Sequence, residues 1–391
     1  MLLTKIQKLY LVHFLLKLHF IGGVLIPFLT DFGKISFTQI MILQSWFMFW
    51  IFIFEIPTGA IADFFGRRNS MVLSGVITAA AAIIYASYPN FYVFLAGELL
   101  WALAAALMSG ADTAMVYDTL KEEKREKQSK EILSRYESFG LAGIFIGSPV
   151  GSIIAATLGV RAPMFLMAIP MLLGSALLLT TSEPKNFKAA KKESYIKILR
   201  DGISFFSGHK ILKVLALDLV IVAALAWMMV WLFQPLLKES GVPVLYYGFV
   251  HAGFVLAQIF VLNKISQTER LFGGRKNFLF FSTILTGTAF LLSGITKIIP
   301  LVLLSIFVIG AFGLTRRPVM DSYVNKYIPT AKRATILSTI SMLRGMIIAA
   351  LYLVVGFAVD RFSLSYTLLA IGGLLVAFAF FSKIEEKMLK D

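Results

Sequence analysis

The chain has 391 residues, 58% of them hydrophobic and 15% charged, with a net charge of +15 and a mean hydropathy of +0.81. Soluble domains are about half apolar and about a quarter charged, so this composition excludes an ordinary soluble protein and points to a bilayer. Zero cysteines exclude disulfides and thiolate metal sites.

A helix needs roughly 20 mostly apolar residues to cross the hydrocarbon core. In chain order such blocks fall at 7–29, 36–60, 70–88, 91–117, 131–157, 162–181, 210–237, 243–264, 277–295, 299–320, 334–358 and 363–382. They predict an all-α integral membrane protein of twelve transmembrane helices that leaves no room for a soluble domain. The first block follows only "MLLTKIQK" and carries no small-residue cleavage site, so it reads as a retained helix. Of the 37 Lys and Arg residues, Lys34, Arg161, Lys238, Lys297 and Arg361 fall in loops on one side, and Lys17, Arg135, Arg316, Arg317 and Arg344 fall within spans. All the others lie on the side of the termini. This is the positive-inside bias, and it predicts a multi-pass protein of the cell (cytoplasmic) membrane with both termini in the cytoplasm. The basic surplus is therefore topology plus contact with anionic lipid at the inner leaflet, not nucleic-acid binding.

Six spans precede "SEPKNFKAAKKESYIKILRDGISFFSGHK", residues 182–210, and six follow it. Tyr195, Ile198, Leu199, Ile203 and Phe206 recur there at helical spacing, opposite Lys188, Lys191, Lys192, Lys197 and Arg200. An amphipathic helix on the membrane surface fits that pattern, with a plain tether as the alternative. The expected organisation is an N-terminal bundle at 1–182, a basic linker at 183–209 and a C-terminal bundle at 210–391. The halves echo each other, as duplicated transporters do. Gly110 and Asp118 in span four repeat as Gly313 and Asp321 in span ten, and "EILSRYESFG" (131–140) repeats as "TILSTISMLRG" (335–345). Lys8 and His13 in span one have the spacing of Lys213 and Asp218 in span seven, and "IADFFGRRN" (61–69) returns as "TERLFGGRK" (268–276).

Between spans two and three, Gly59, Asp63, Gly66, Arg67 and Arg68 form G-x-x-x-D-x-x-G-R-R. With twelve spans, a basic central loop and a degenerate second copy after span eight, the whole chain resembles the major facilitator superfamily (MFS). The resemblance implies two pseudo-symmetric six-helix bundles, working as a monomer and moving a small-molecule substrate. It also implies that this loop latches one face of the bundles: Asp63 against the first turn of span eleven near Arg333–Thr335, and Arg67 against Asp118 of span four. Free N–H groups and the positive dipole end of a helix suit a carboxylate, and a guanidinium suits a bidentate pair. The alternative is that Arg67 and Arg68 only set topology. In the second copy Glu269 and Arg270 stand near the acid position, so a looser latch is expected there.

Ionisable groups inside a bilayer cost about 2.5–3.5 kcal/mol at the centre on insertion scales, so each needs a reason. The resemblance implies that spans one, four, seven and ten line a central cavity. Those spans carry His13, Lys17 and His19, then Glu98 and Asp112, then Asp218, then Arg316 and Arg317. The duplication sets His13 opposite Asp218 and Asp112 near the counterpart of Arg316, which suggests complementary charges that meet in one state and part in another. Carboxylates or histidines that exchange partners would take up and release protons, as a proton-coupled carrier requires. The plainer alternatives are wet placement near the span ends for His13 and Asp218, and snorkelling for Arg316 and Arg317.

In span five, "GIFIGSPVGS" (143–152) places Gly143, Gly147, Pro149 and Gly151 in a pattern resembling the G-x-x-x-G-P-x-x-G-G element of the drug:proton antiporter branch. Close helix packing explains the same glycines. The function expected from these residues is secondary active transport by alternating access, as proton-coupled efflux of small amphipathic or apolar compounds. Uptake or exchange of an anionic solute is the alternative, favoured by Lys17, Arg316 and Arg317; a lipid-type substrate on the same fold is another. No nucleotide loop, H-E-x-x-H or nucleophile elbow is present, so no enzyme activity, cofactor or metal is expected.

Overall fold

The computed structural model describes residues 3–184, 204, 208–328 and 333–389, with the backbone alone described at 55–65, 333–335 and 338. The protein is all-helical, with no strand among the described residues. Among the described residues eleven helical stretches are long and apolar enough to cross a membrane, and the interrupted first segment supplies the twelfth pass. In a medium without water every backbone N–H and C=O must be paired within its own segment, which is why such apolar runs become helices. Of the linker expected at 183–209, only Glu183, Pro184, Ser204, Gly208 and His209 are among the described residues, so the amphipathic helix expected there lies outside them.

The chain divides into two compact units, Met1–Lys192 with Val244–Ala252, and Glu193–Pro243 with Gly253–Asp391. In the first unit, span three (Arg67–Ser87) lies against span four (Phe91–Met108 and Ala111–Glu122) and span six (Ala162–Leu166 and Ala168–Leu179). Span two (Phe37–Phe65) also packs on span four, and span one (Lys5–Leu16) packs on spans five (Ser129–Leu158) and six. In the second unit, span nine (Arg275–Ile295) lies against span twelve (Leu364–Phe381) and span ten (Ile299–Val308, Arg316–Lys326). The contacts of span three with four and six thus recur as those of nine with ten and twelve, the structural form of the sequence repeat. Hydroxyls help to join the helices: Ser70 and Ser74 of span three donate to Leu107 O and Ala104 O of span four, both at 2.7 Å.

Among the described residues spans one, four, seven and ten, the first of each group of three, are each interrupted, as is span six at Met167. Span one was expected to run unbroken over 7–29, yet its helix stops at Leu16, turns through Lys17–Val24 and resumes as Leu25–Pro27 with a π turn at Phe28–Phe32. Pro27 has no N–H to give, and Gly22 and Gly23 lower the propensity on its N-terminal side. Span four breaks at Ser109 and Gly110, where φ is +76°, a conformation that glycine adopts without strain. Span seven breaks at Met228 between Lys210–Trp227 and Met229–Glu239. Span ten passes through a π turn, Ile309–Gly313, and restarts at Arg316 with Pro318 in its first turn, where a missing N–H is tolerated.

The interruption of span one is accommodated by the glycine face of span five. A Cβ on Gly143 would meet Phe14 O at 2.5 Å, and one on Gly151 would meet Phe20 O at 1.6 Å. Backbone lies directly on backbone there, and no side chain fits between.

Candidate functional site

Two arrangements carry the chemistry of the first unit. At one end, Gly66 is the N-cap of span three and leaves the N–H groups of its first turn free for an acceptor. Glu183, four residues past the end of span six, fills that need: Oε1 accepts from Arg67 N at 2.6 Å and Oε2 from Arg68 N at 3.0 Å. Arg68 Nη1 donates to Thr181 O at 3.0 Å. The Arg67 guanidinium forms an ion pair with Asp118 of span four, both side chains being mostly buried. Arg67, Arg68, Gly66 and Asp118 therefore come together. Gly59 and Asp63 lie where the side chains are outside the described residues, as does the start of span eleven.

The second copy of the loop is built differently. Gly274 is the N-cap of span nine, and Glu386 Oε2 accepts from Lys276 N at 2.9 Å. Arg275 lies 3.7 Å from Glu269, whose other oxygen accepts from the Tyr323 hydroxyl, and Arg275 also donates to Leu389 O. Ile384, Met388 and Leu389 are buried in the core of this unit, so the chain after span twelve forms part of the loop end. Sequence reading missed Glu183 and Glu386. The repeat could have found them, since each acid lies just beyond the sixth span of its own half.

Deeper in the first unit, the breaks in spans one and four present charge. Lys17 is the C-cap of the first part of span one; it is exposed, and its ammonium has no hydrogen-bond or ion-pair partner among the described residues. Asp112 stands in the first turn of the second part of span four and accepts from its neighbour Thr113 N at 2.6 Å. A carboxylate in that position is favoured by the helix dipole. Lys17 is within Coulombic reach of Asp112, His13 and His19. The His13 ring stacks on Tyr136 of span five at 3.9 Å between centroids. His13 Nε2 and the Tyr136 hydroxyl are buried and lack hydrogen-bond partners among the described residues. Buried polar atoms are nearly always paired, so these two are exceptions that call for a ligand, a water or a proton.

Glu98 belongs to a separate cluster inside the bundle. Its Oε1 accepts from Gln44 Nε2 at 3.0 Å and from the Tyr85 hydroxyl at 2.6 Å, joining spans two, three and four. Pro149 lies within span five beside Ser148, whose hydroxyl is 2.7 Å from His251 Nδ1, and Ser152 Oγ accepts from Gly248 N at 2.6 Å. The span-five element thus seats the segment Val244–Ala252 as well as span one.

In the second unit, Asp218 and Arg316 are 2% and 3% exposed and bonded to each other: Asp218 Oδ1 accepts from Arg316 Nε at 2.8 Å and Nη2 at 2.5 Å. Arg316 Nη1 donates to Leu279 O at 2.7 Å. The repeat had set His13 opposite Asp218 and Asp112 near the counterpart of Arg316, whereas in the structure Asp218 and Arg316 satisfy each other within one unit. Arg317 is exposed, 3.7 Å from Asp321 on the same helix. Trp227 and Trp231, flanking the break in span seven, both donate to the Tyr352 hydroxyl at 2.9 and 3.1 Å.

Twelve passes in two repeated units, with embedded charge at the broken first helix of each triplet, define a secondary transporter rather than an enzyme. The chain belongs to the Major Facilitator Superfamily, whose sequence profile matches residues 11–267. Among curated proteins it is similar to D-xylose-proton symporter-like 3, chloroplastic, of Arabidopsis thaliana, at 24% identity over 123 residues. That match spans 32% of this chain and only 21% of the relative's length. Among solved structures the nucleoside transporter NupG superposes with a TM-score of 0.80 at 16% identity, covering 99% of this chain and all of that one. A D-xylose-proton symporter superposes with a TM-score of 0.70 at 15% identity, covering 98% of each chain.

Proposed function

We propose that this protein is a proton-coupled carrier that takes up or exchanges a small polar solute by alternating access, with Lys17 as the solute's electrostatic partner. The observation that carries this reading is the juxtaposition of Lys17 and Asp112, two embedded charges without an ion pair, at the breaks of spans one and four. Embedded charge is expensive, and leaving both groups unpaired is understandable if a cargo or a proton completes them. Asp112 and His13 are the proton-site candidates. The relatives' printed names, a proton symporter for a sugar and a nucleoside transporter, support inward movement of a polar solute. The positive-inside bias supports an orientation with both termini on the cytoplasmic side, and a monomer is what the family resemblance implies. The latch of Arg67 and Asp118, with Asp63 added, would hold one access state, and Arg316 with Asp218 would keep the second unit rigid.

A second reading, proton-coupled efflux of amphipathic compounds, is favoured by the glycine face of span five, which resembles an element of the drug:proton antiporter branch. One experiment separates them. Proteoliposomes with an imposed inward proton gradient are offered labelled nucleosides, pentoses and small carboxylates, and in parallel are loaded with a cationic dye. Uptake that falls at least tenfold in Lys17→Ala and loses its pH-gradient dependence in Asp112→Asn is the expected result. Dye extrusion by the native protein, indifferent to Lys17→Ala, would favour efflux and defeat the first reading.

A further inference from the structure

The second unit contains a cleft apart from the charges at the breaks of spans one and four. It lies at the loop end, between the start of span nine, the restart of span ten, the end of span twelve and the chain that follows it. A cavity of about 40 Å3, open at its mouth, is lined by Lys276, Thr283, Arg316, Ser382 and the apolar side chains of Leu279, Phe280, Ala379 and Ile384. Arg316 is 97% buried and held by Asp218, Leu279 O and Ser282, so its charge is fixed in the wall. Ser382 Oγ lies 3.4 Å from Asp218 Oδ2. Lys276 is different: its side chain is exposed at the mouth, and its ammonium has no hydrogen bond or ion pair among the described residues. Glu386 takes the Lys276 backbone N–H rather than its ammonium, and Glu385, within Coulombic reach of Lys276, is paired with Lys387.

The Lys276 ammonium is the donor left for an anion, since Thr283 donates its hydroxyl to Leu279 O, Ser382 lies on Asp218 and Arg316 is held in the wall. One free ammonium at the mouth of a small cleft suits a phosphate oxygen. The surroundings name the source. Phe280 lines the cleft and meets Phe380 edge to face at 5.5 Å, and Phe281, Phe380 and Phe381 are exposed on the same helix ends. Free phosphate has no use for such rings, whereas acyl chains do. We propose that this cleft is a phosphate-ester site that seats the headgroup of an anionic phospholipid against Lys276, with its chains over the phenylalanines of spans nine and twelve. The proposal goes beyond the transport reading and does not depend on it.

The test measures binding and not transport. The purified full-length protein is titrated in detergent with phosphatidylglycerol and with phosphatidylcholine, bound lipid being counted by native mass spectrometry. A parallel arm titrates inorganic phosphate by calorimetry. Phosphatidylglycerol is expected to be retained in preference to phosphatidylcholine, with affinity about fivefold weaker in Lys276→Ala, the worth of one lysine near a membrane surface. Lys383→Ala, which removes an exposed lysine of the same tail outside the cleft, is expected to bind like the native protein. Both variants should melt with the native protein, since neither ammonium holds the core. Phosphate binding that depends on Lys276 without lipid preference would keep the anion site and assign it to the free ion. Equal losses in both variants, or no loss in Lys276→Ala in either arm, would overturn the proposal.

Discussion

Glu183 caps span three as Glu386 caps span nine: each carboxylate reaches back from beyond the last helix of its own half to the first N–H groups of the third. The two caps stand 203 residues apart in number and at equivalent places in the repeat. A charged N-cap contributes about 1 kcal/mol through its hydrogen bonds and the helix dipole. Glu183→Ala should therefore lower the unfolding free energy by about that amount, and Glu183→Gln by less, because the amide oxygen still accepts. Glu386→Ala, which loses one bond instead of two, should fall between them, and the Ala changes should add because they lie in different units. Thermal unfolding in detergent reads these differences; native-like melting of Glu183→Ala would mean that the cap is idle.

The Asp218–Arg316 pair predicts an asymmetry between single and double changes. Removing one partner of a buried pair leaves the other charge uncompensated, typically at about 3–5 kcal/mol, whereas replacing both with apolar groups is often mild. Asp218→Ala and Arg316→Leu alone should each yield little folded protein, and the double variant should recover most of it. Size-exclusion profiles after extraction report the folded fraction. A double variant worse than either single one would show that the pair serves something besides neutralising itself.

Twelve apolar runs and the repeated loop were enough to read the helical class and the repeat, because length, hydropathy and a spaced motif are local properties. The meeting of Arg67 with Asp118 was implied by the family resemblance, not by local spacing. The partners of the embedded charges were not legible. His13 and Asp218 match by register, yet contact depends on which way each helix is turned and where it breaks, and Asp218 found Arg316 instead. The unbroken span expected at 7–29 failed for a related reason: Gly22, Gly23 and Pro27 permit a break, but only the glycine face of span five, distant in sequence, makes room for the irregular backbone. Glu183 and Glu386 sit in short polar tails where nothing local marks a cap.

That glycine face supplies a sharp steric contrast. Gly151→Ala places a methyl where Phe20 O already lies, so span one or span five must move, at about 1–3 kcal/mol or more for overpacking. Gly373, within span twelve, has open space where a Cβ would go, and Gly373→Ala should be neutral or stabilising through helix propensity. Comparing the two melting midpoints checks this. A Gly151→Ala protein that melts and transports like the native one would mean that span one does not rest on span five as described.

Orientation is testable without background, because the native chain has no cysteine. Tyr88 and Lys124 are both exposed and lie in consecutive loops, on either side of span four. The positive-inside reading places Lys124 in the cytoplasm and Tyr88 outside. In intact cells a membrane-impermeant maleimide should label Tyr88→Cys and spare Lys124→Cys, and lysis should expose both. The reverse pattern would invert the proposed topology.

Arg67 and Asp118 should behave as one unit. Their side chains are 19% and 12% exposed, so solvent screens the pair only partly, and each has the other as its ion partner. A coupled pair shows an interaction energy of about 0.5–3 kcal/mol in a double-mutant cycle. Arg67→Ala and Asp118→Ala should each destabilise the protein, and the double variant should cost less than the sum of the single changes, since both remove the same ion pair. Arg67→Lys is expected to rescue only part, because an ammonium restores the charge without the planar, two-toothed contact of a guanidinium. Arg68→Ala serves as the control: Arg68 bonds Thr181 O and Asn69 instead of Asp118, so its loss should add to that of Asp118→Ala without coupling. Strict additivity between Arg67→Ala and Asp118→Ala would mean that the ion pair contributes nothing in the membrane-embedded protein, and the latch reading would then have to rest on Asp63 alone.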